Sequence, residues 1–229
     1  DQRTATEIAR RAGVRWILTG EVIQPPPGLV VTTQVVNVQT GDILSTQRLA
    51  ADTGEALFTS IDRLCLGILA DLRNAGIESR APTTSVAAVT TSSPEAYRHY
   101  VEGVDLFTRL YHSEAVEALR RAVAIDTSFA MAYYMLARCT MSGEPEALRR
   151  QWIARAVAHA DRATWREQRY INALHASLNA DHAREEAELL ALLERHPEER
   201  DALFMLGTCA FGRNDVPVAA GFYERVIAV

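Results

Sequence analysis

Lysine is absent from this chain: all 24 basic residues are arginine. That excludes a phosphate-loop lysine, a kinase-type lysine and a lysine Schiff base. Beside abundant alanine, it is the usage expected of a GC-rich bacterial gene. Cysteine is scarce. Cys65, Cys139 and Cys209 are an odd number, lie far apart and form no C-x-x-C pair, which argues against a zinc knuckle. Long apolar runs are missing too. Leu64–Ala70 is among the longest, and none approaches the length of a membrane span. There is no basic stripe, and the net charge is −5, so nothing points to nucleic acid. H-E-x-x-H, G-x-S-x-G and G-x-G-x-x-G do not occur. His159 with Asp161, and Asp181 with His182, are metal-like pairs that read better as solvated helix ends. No catalytic, cofactor-binding or metal-ligating residue is assigned. A hydrolase using scattered Glu, Asp and His is the least favoured reading.

What the chain does have is a period. Four helix-length segments carry a small residue at their middle: Gly103, Ala137, Ala173 and Gly207, spaced by 34, 36 and 34. Gly103 is followed at offsets 12, 16 and 19 by Ala115, Leu119 and Ala122, with Ile125 beyond. Gly207 is followed at the same offsets by Ala219, Tyr223 and Val226. Such spacings put those residues on one face of a second helix, and the small residue lets that helix approach closely. The second segment keeps Tyr133, Leu136 and Ala137; the third is the most worn and ends at Pro197. A period near 34 residues of helical type marks stacked helical hairpins. Cys139 and Cys209 each follow a landmark by two residues, which makes them packing residues.

Residues 95–229 resemble tetratricopeptide repeats on these landmarks. The resemblance implies an all-α helical-hairpin solenoid of four repeats, eight helices in a right-handed curved stack, truncated at its C-terminus. Val229 falls inside the last helix, where a stack ordinarily ends in a polar-faced cap, so a fragment of a longer protein is expected. Ser93-Pro94-Glu95 reads as the start of the first helix, with Ser93 as cap.

Residues 1–78 have a different pattern, that of a small α+β domain. Thr4–Ala12 reads as a helix stopped by Gly13. Arg15–Ile23, Leu29–Val38 and Ile43–Ala50 read as three strands. They are separated by Pro25-Pro26-Pro27-Gly28 and by Gln39-Thr40-Gly41-Asp42. The short connections predict an antiparallel meander. Asp52 or Thr53 should cap a helix over Glu55–Asn74. Its apolar stripe, Leu57, Ile61, Leu64, Ile68 and Leu72, should cover one sheet face; a partner-binding amphipathic helix is the alternative. Three strands and one helix make a thin core, so a further strand upstream of Asp1, or an edge contact with another chain, is expected. Residues 79–94, rich in Thr, Ser, Ala and Pro, read as a linker.

The run from Ala9 through Arg10, Arg11, Ala12, Gly13, Val14, Arg15, Trp16, Ile17, Leu18, Thr19, Gly20 and Glu21 to Val22 resembles TolB N-terminal-like domains. So does the segment from Val35 to Leu44. The opening strand typical of that family is not present. The resemblance implies a bacterial signalling protein in which such a domain precedes tetratricopeptide repeats. A kinase, cyclase or winged-helix domain would supply the output, in a cytoplasmic or extracytoplasmic setting.

In stacked hairpins the first helices line the concave face. On the landmark spacing that face holds Tyr97, Tyr100, Val104 and Phe107, then Met131, Tyr134, Arg138 and Met141. It continues with Glu167, Tyr170, Leu174 and Ser177, then Asp201, Phe204, Thr208 and Phe211. Tyr100, Tyr134, Tyr170 and Phe204 share one register, at intervals of 34, 36 and 34. Aromatic rings in register suit a protein or peptide partner; packing against the neighbouring repeat is the alternative. Only Arg138 is placed as the basic residues of a carboxylate clamp would be. The chain reads as a non-catalytic protein- or peptide-binding scaffold, without a cofactor. An oligomerisation or assembly scaffold, in which a second copy is the partner, is the other reading.

Overall fold

The computed structural model describes residues 2–23, 28–52, 56–77, 91–139 and 145–229, and the chain divides into two compact units. The first holds α1 (Gln2–Arg11), β1 (Trp16–Ile23), β2 (Gly28–Asn37), β3 (Ile43–Asp52) and α2 (Ala56–Asn74). The second holds eight helices among the described residues. They are α3 (Pro94–Thr108), α4 (His112–Ile125), α5 (Ala130–Cys139), α6 (Glu146–Ala158), α7 (Trp165–Leu178), α8 (His182–Arg195), α9 (Arg200–Gly212) and α10 (Val216–Ala228), with a 3₁₀ turn at Ala160–Arg162.

In the first unit the strands form an antiparallel sheet in the order β1-β2-β3. The register runs Trp16 with Asn37 to Ile23 with Val30, and Gly28 with Asp52 to Val36 with Ile43, with one irregularity at Val35/Val36. Gly13 ends the reach of α1: its φ of 69° lets its N–H bond to Arg10 and that of Val14 to Ala9. α2 packs on β3. Its inward line is Ser60, Leu64, Gly67, Ile68 and Asp71, not the apolar stripe alone. Asp71 Oδ2 accepts hydrogen bonds from Ser45 Oγ at 2.6 Å and Gln47 Nε2 at 2.9 Å. A Cβ at Gly67 would lie 2.7 Å from Gln47 Oε1. The sheet offers polar side chains here, so the helix answers with polar and small ones. Phe58 and Ile68 supply the apolar burial. The side chains of Asp52 and Leu57 and the whole of position 53 lie outside the described residues, as does most of the 79–94 segment.

In the second unit each helix from α4 onward packs on the next, and connections of a few residues make neighbours antiparallel. The landmarks sit at the helix contacts: Gly103, Ala137, Ala173 and Gly207 are all buried. A Cβ at Gly103 would lie 2.6 Å from Leu119 Cγ and 3.2 Å from the Ala115 carbonyl. A Cβ at Gly207 would lie 2.6 Å from Tyr223 Cε1. Leu119, Leu136, Ile153, Ile171, Leu189, Leu192, Leu203 and Leu206 fill one continuous core, each contributing about 2 kcal/mol by burial.

Local chemistry fixes the helix starts. Thr164 and Glu167 form a reciprocal capping box on α7. Asp181 caps α8 by accepting from Arg184 N–H, and Asp215 caps α10 by accepting from Val218 N–H. Before α3, Thr91 is buried and donates to Asp126 Oδ2 at 2.6 Å, so residue 91 belongs to the second unit.

The turns within hairpins share one device. Leu110, Ala180 and Asn214 have φ of 67°, 57° and 61°. Each donates its N–H three residues back, to Phe107, Ser177 and Phe211. The following residue donates five back, to Leu106, Ala176 and Ala210. This left-handed C-terminal cap favours glycine, then asparagine; leucine and alanine occupy it against a cost of about 1–2 kcal/mol.

Gly103→Ala should lower the unfolding free energy by about 1–2 kcal/mol, because Leu119 is wholly enclosed. Gly207→Ala should cost less than half as much, since the half-buried Tyr223 ring can turn outward. Urea titrations of both variants check this, and equal losses would contradict it. Ala180→Gly should raise stability by about 0.5–1 kcal/mol by relieving the left-handed turn; a lowered midpoint would mean the turn is not strained.

Candidate functional site

The inner helices α3, α5, α7 and α9 bring their side chains to one cleft of about 430 Å³. It is lined by Tyr100, Val104, Phe107, Thr108 and Leu110 from α3 and its turn, and by Met131, Tyr134, Met135 and Arg138 from α5. Arg166, Glu167 and Tyr170 come from α7, and Asp201 from α9. Of the groove set read from the sequence, Tyr100, Val104, Phe107, Met131, Tyr134, Arg138, Glu167, Tyr170 and Asp201 meet here. Tyr97, Leu174, Phe204 and Phe211 do not line the cleft. Leu174 is buried in the core, while Tyr97, Phe204 and Phe211 are exposed elsewhere. Met141 lies outside the described residues.

The shared aromatic register divides in two. Tyr134 and Tyr170 are buried, at 2% and 5% exposure, whereas Phe204 is 56% exposed, its ring tilted against Tyr223 at 5.8 Å. Tyr100 is half-buried and rests on Phe129, with ring centroids 4.9 Å apart. Tyr134 and Tyr170 rings lie 6.4 Å apart. Tyr134 therefore serves the core and the cleft wall at once, and its full truncation would cost the fold. Burial pushes the Tyr100 phenol well above the ordinary tyrosine value, with Glu167 adding to it.

The charges divide as well. Arg166 grips Glu199 with two hydrogen bonds, 2.8 Å and 2.6 Å, and lies over the Tyr170 ring at 5.5 Å. Tyr170 Oη donates to Glu199 Oε1 at 3.0 Å. Glu167 Oε2 accepts from Thr164 N and Oγ1. Arg138 differs. Its guanidinium lies over the rings of Phe107 at 5.2 Å and Tyr134 at 5.8 Å, and it makes no ion pair among the described residues. The Tyr134 hydroxyl is buried beside the Arg138 guanidinium and makes no hydrogen bond of ordinary length and angle among the described residues.

The positions missed by sequence reasoning are Thr108, Leu110, Met135 and Arg166. Leu110 is 75% exposed and sits in the left-handed turn, which helix periodicity does not reach. Arg166 neighbours Glu167 in a segment whose repeat pattern is worn. Cys139 and Cys209 are packing groups; burial pushes their thiols up to about 11 and about 12. His159 stacks on Tyr133 at 6.3 Å, and Asp181 is a helix cap. Among the described residues no group of three or more His, Cys, Asp or Glu is placed to hold a metal ion, and no helix is long and apolar enough to cross a membrane. A hollow of about 470 Å³ lies beside β1 in the first unit, lined by Ala5, Leu18, Thr19, Gly20, Glu21, Thr32 and Gln34.

No protein-family model matches the chain, and no curated protein matches it. Solved structures of MamA are similar to it. One has 15% identity and a TM-score of 0.36, covering 75% of this chain and 87% of the other. MamA from Desulfovibrio magneticus RS-1, residue 41 to its end, has 17% identity and a TM-score of 0.39, covering 76% and 93%. A double mutant of MamA from RS-1 has 17% identity and a TM-score of 0.38, with the same coverage. Likeness at this distance assigns no family.

The Arg166 guanidinium, joined by the Tyr170 hydroxyl, holds the Glu199 carboxyl below its ordinary value of 4.5 against the opposing effect of burial. The stabilisation is therefore present above pH 4.5 and is lost as pH falls through the lower folded value. Glu199→Gln should lower stability by about 1 kcal/mol at neutral pH, the arginine being half exposed. The gap from the parent protein should close under acid, as followed by denaturant melts across pH. A gap that persists undiminished under acid would contradict the assignment.

Proposed function

We propose that this chain is a non-catalytic scaffold whose second unit binds an extended peptide or protein segment in the cleft across α3, α5, α7 and α9. The observation that carries this reading is Leu110. A large apolar side chain stands three-quarters exposed on the cleft rim, in a backbone conformation that favours glycine. The turn recurs at Ala180 and Asn214, so what singles out Leu110 is a large exposed apolar side chain where glycine or asparagine would serve. Phe107, Tyr100 and Met131 add half-buried apolar surface beside it. Rings of this type contribute area at low entropy cost. The hairpin succession and its phase support a tetratricopeptide-type solenoid. The resemblance of residues 9–44 to TolB N-terminal-like domains supports placing the scaffold in a bacterial signalling protein, as its interaction or sensing region. Of the sequence-derived groove, Tyr100, Phe107, Tyr134, Arg138 and Tyr170 are the residues to which we assign the contact. Tyr97, Leu174, Phe204 and Phe211 are assigned none.

A second reading rests on α10, where Val216 and Ile227 are 53% and 83% exposed. Copies of the chain would associate through this last helix. A molecular mass that rises with concentration, and falls back on Ile227→Gln, would favour it.

The two properties of Leu110 separate in one variant. Leu110→Gly should raise the melting temperature by relieving the turn, and should weaken peptides selected on the parent protein by about fivefold or more. Calorimetric titration and thermal melts check both halves. Unchanged affinity would remove Leu110 from the site, and failure to select any peptide would sink the groove reading itself.

A further inference from the structure

Two neighbouring groups on α5, Arg138 and the Tyr134 hydroxyl, lie together on the cleft wall, and among the described residues no carboxylate meets either. Arg138 carries a full positive charge at a site where the other arginine, Arg166, is already bound to Glu199. The cation–π contacts to Phe107 and Tyr134 hold its guanidinium in place without neutralising it. A charged group deprived of part of its hydration is costly without a counter-ion. Beside it, the Tyr134 hydroxyl, on a residue that is 2% exposed, has the Arg138 guanidinium as its near neighbour and makes no hydrogen bond of ordinary length and angle among the described residues. Buried polar groups are ordinarily satisfied, and an exception on a cleft wall marks where an acceptor would sit. Arg138 can only donate, and the hydroxyl, with that guanidinium beside its oxygen, has its proton left to give, so the group that would join them accepts and is negative.

From this the geometry points to a carboxylate: an Asp or Glu side chain within an internal stretch of the bound peptide, received by the Arg138 guanidinium and the Tyr134 hydroxyl. This rests on the peptide-binding reading above. The rest of the cleft narrows the occupant further. Phe107 and Leu110 lie on the same side as Arg138, so the acidic residue has an apolar neighbour. Towards α7 and α9 the lining adds Glu167 and the exposed Asp201, while Arg166 beside them is already bound to Glu199. A second carboxylate there meets repulsion. An acidic run is therefore disfavoured, and so is a chain terminus ending in Asp or Glu, which brings two carboxylates together.

The test uses the full chain and short random segments displayed with both ends blocked by flanking sequence. Selected sequences are then made as peptides with acetylated N-termini and amidated C-termini. The expected result is enrichment of one Asp or Glu beside an apolar residue, with binding that weakens as salt is raised. Arg138→Gln should weaken such a peptide by about tenfold, and Tyr134→Phe by a smaller factor, as charge-assisted hydrogen bonds require. Neither variant should weaken the same peptide with its acidic residue changed to the amide. Arg120→Gln, the same charge change on an exposed position of α4, should leave affinity unchanged. If selected peptides bind, lose affinity on Leu110→Gly and ignore Arg138→Gln, the carboxylate assignment is overturned while the groove stands. Binding that requires a free C-terminus, or that prefers acidic runs, overturns it too. If no peptide is selected, both the groove and the carboxylate fall. Tyr134→Phe keeps the ring in the core, and thermal melts confirm that both variants fold.

Discussion

The close approach of two helices at one small residue governs the second unit. At Gly103 the enclosed Leu119 side chain fills the space a Cβ would occupy. At Gly207 a tyrosine ring does the same. Close approach sets the separation of the pair, and the separation sets which side chains on the inner helix face the partner and which face the cleft. Tyr100 and Tyr134 each precede a landmark by three residues, so their orientation follows from it. In such arrays, where units contact mainly their neighbours, each interface is settled locally and the order accumulates along the chain. The continuous core from Ala96 to Leu206 is the sum of those local decisions.

Much of this was legible in the sequence, for a physical reason. Helix period and hairpin period are both carried by apolar and small residues, whose positions do not depend on distant contacts. Strands separated by Pro-Gly and Gly-Asp turns are equally local, and their bounds shift by only a residue or two. What escaped the sequence depends on a partner element. The inward line of α2 includes Ser60, Gly67 and Asp71 because β3 presents Ser45 and Gln47 to it; no pattern within α2 says so. Burial of Tyr134 but exposure of Phe204, at equal register, depends on how many neighbours flank each position in the array. Leu110 escaped because a left-handed leucine contradicts the preference used to place turns.

Several polar groups of the second unit are gathered into clusters that join neighbouring elements. Glu199 collects Arg166 and the Tyr170 hydroxyl, and Asp126 collects Thr91 and Ser128, so these groups are spent on holding neighbouring elements together. Arg162, which donates to Ser128 and approaches Asp126, closes the second of these clusters. On the cleft wall, Arg138 makes no ion pair and Tyr134 no ordinary hydrogen bond among the described residues. Their chemistry is left over from folding, and leftover chemistry in a concave site is what recognition can use.

The left-handed turn at Leu110 also has a consequence in time. Its backbone bonds close a turn that leucine holds at a cost, so releasing that turn takes less free energy than releasing the asparagine turn at Asn214. The floor of the cleft is anchored in the continuous core, where Tyr134 and Tyr170 are buried. Rim and floor therefore differ in the free energy needed to open them. A bound segment would gain entry and exit through brief fraying at the end of α3, while the inner helices remain in place. Residence time would then be set by a single turn of backbone and not by the hairpins beneath it.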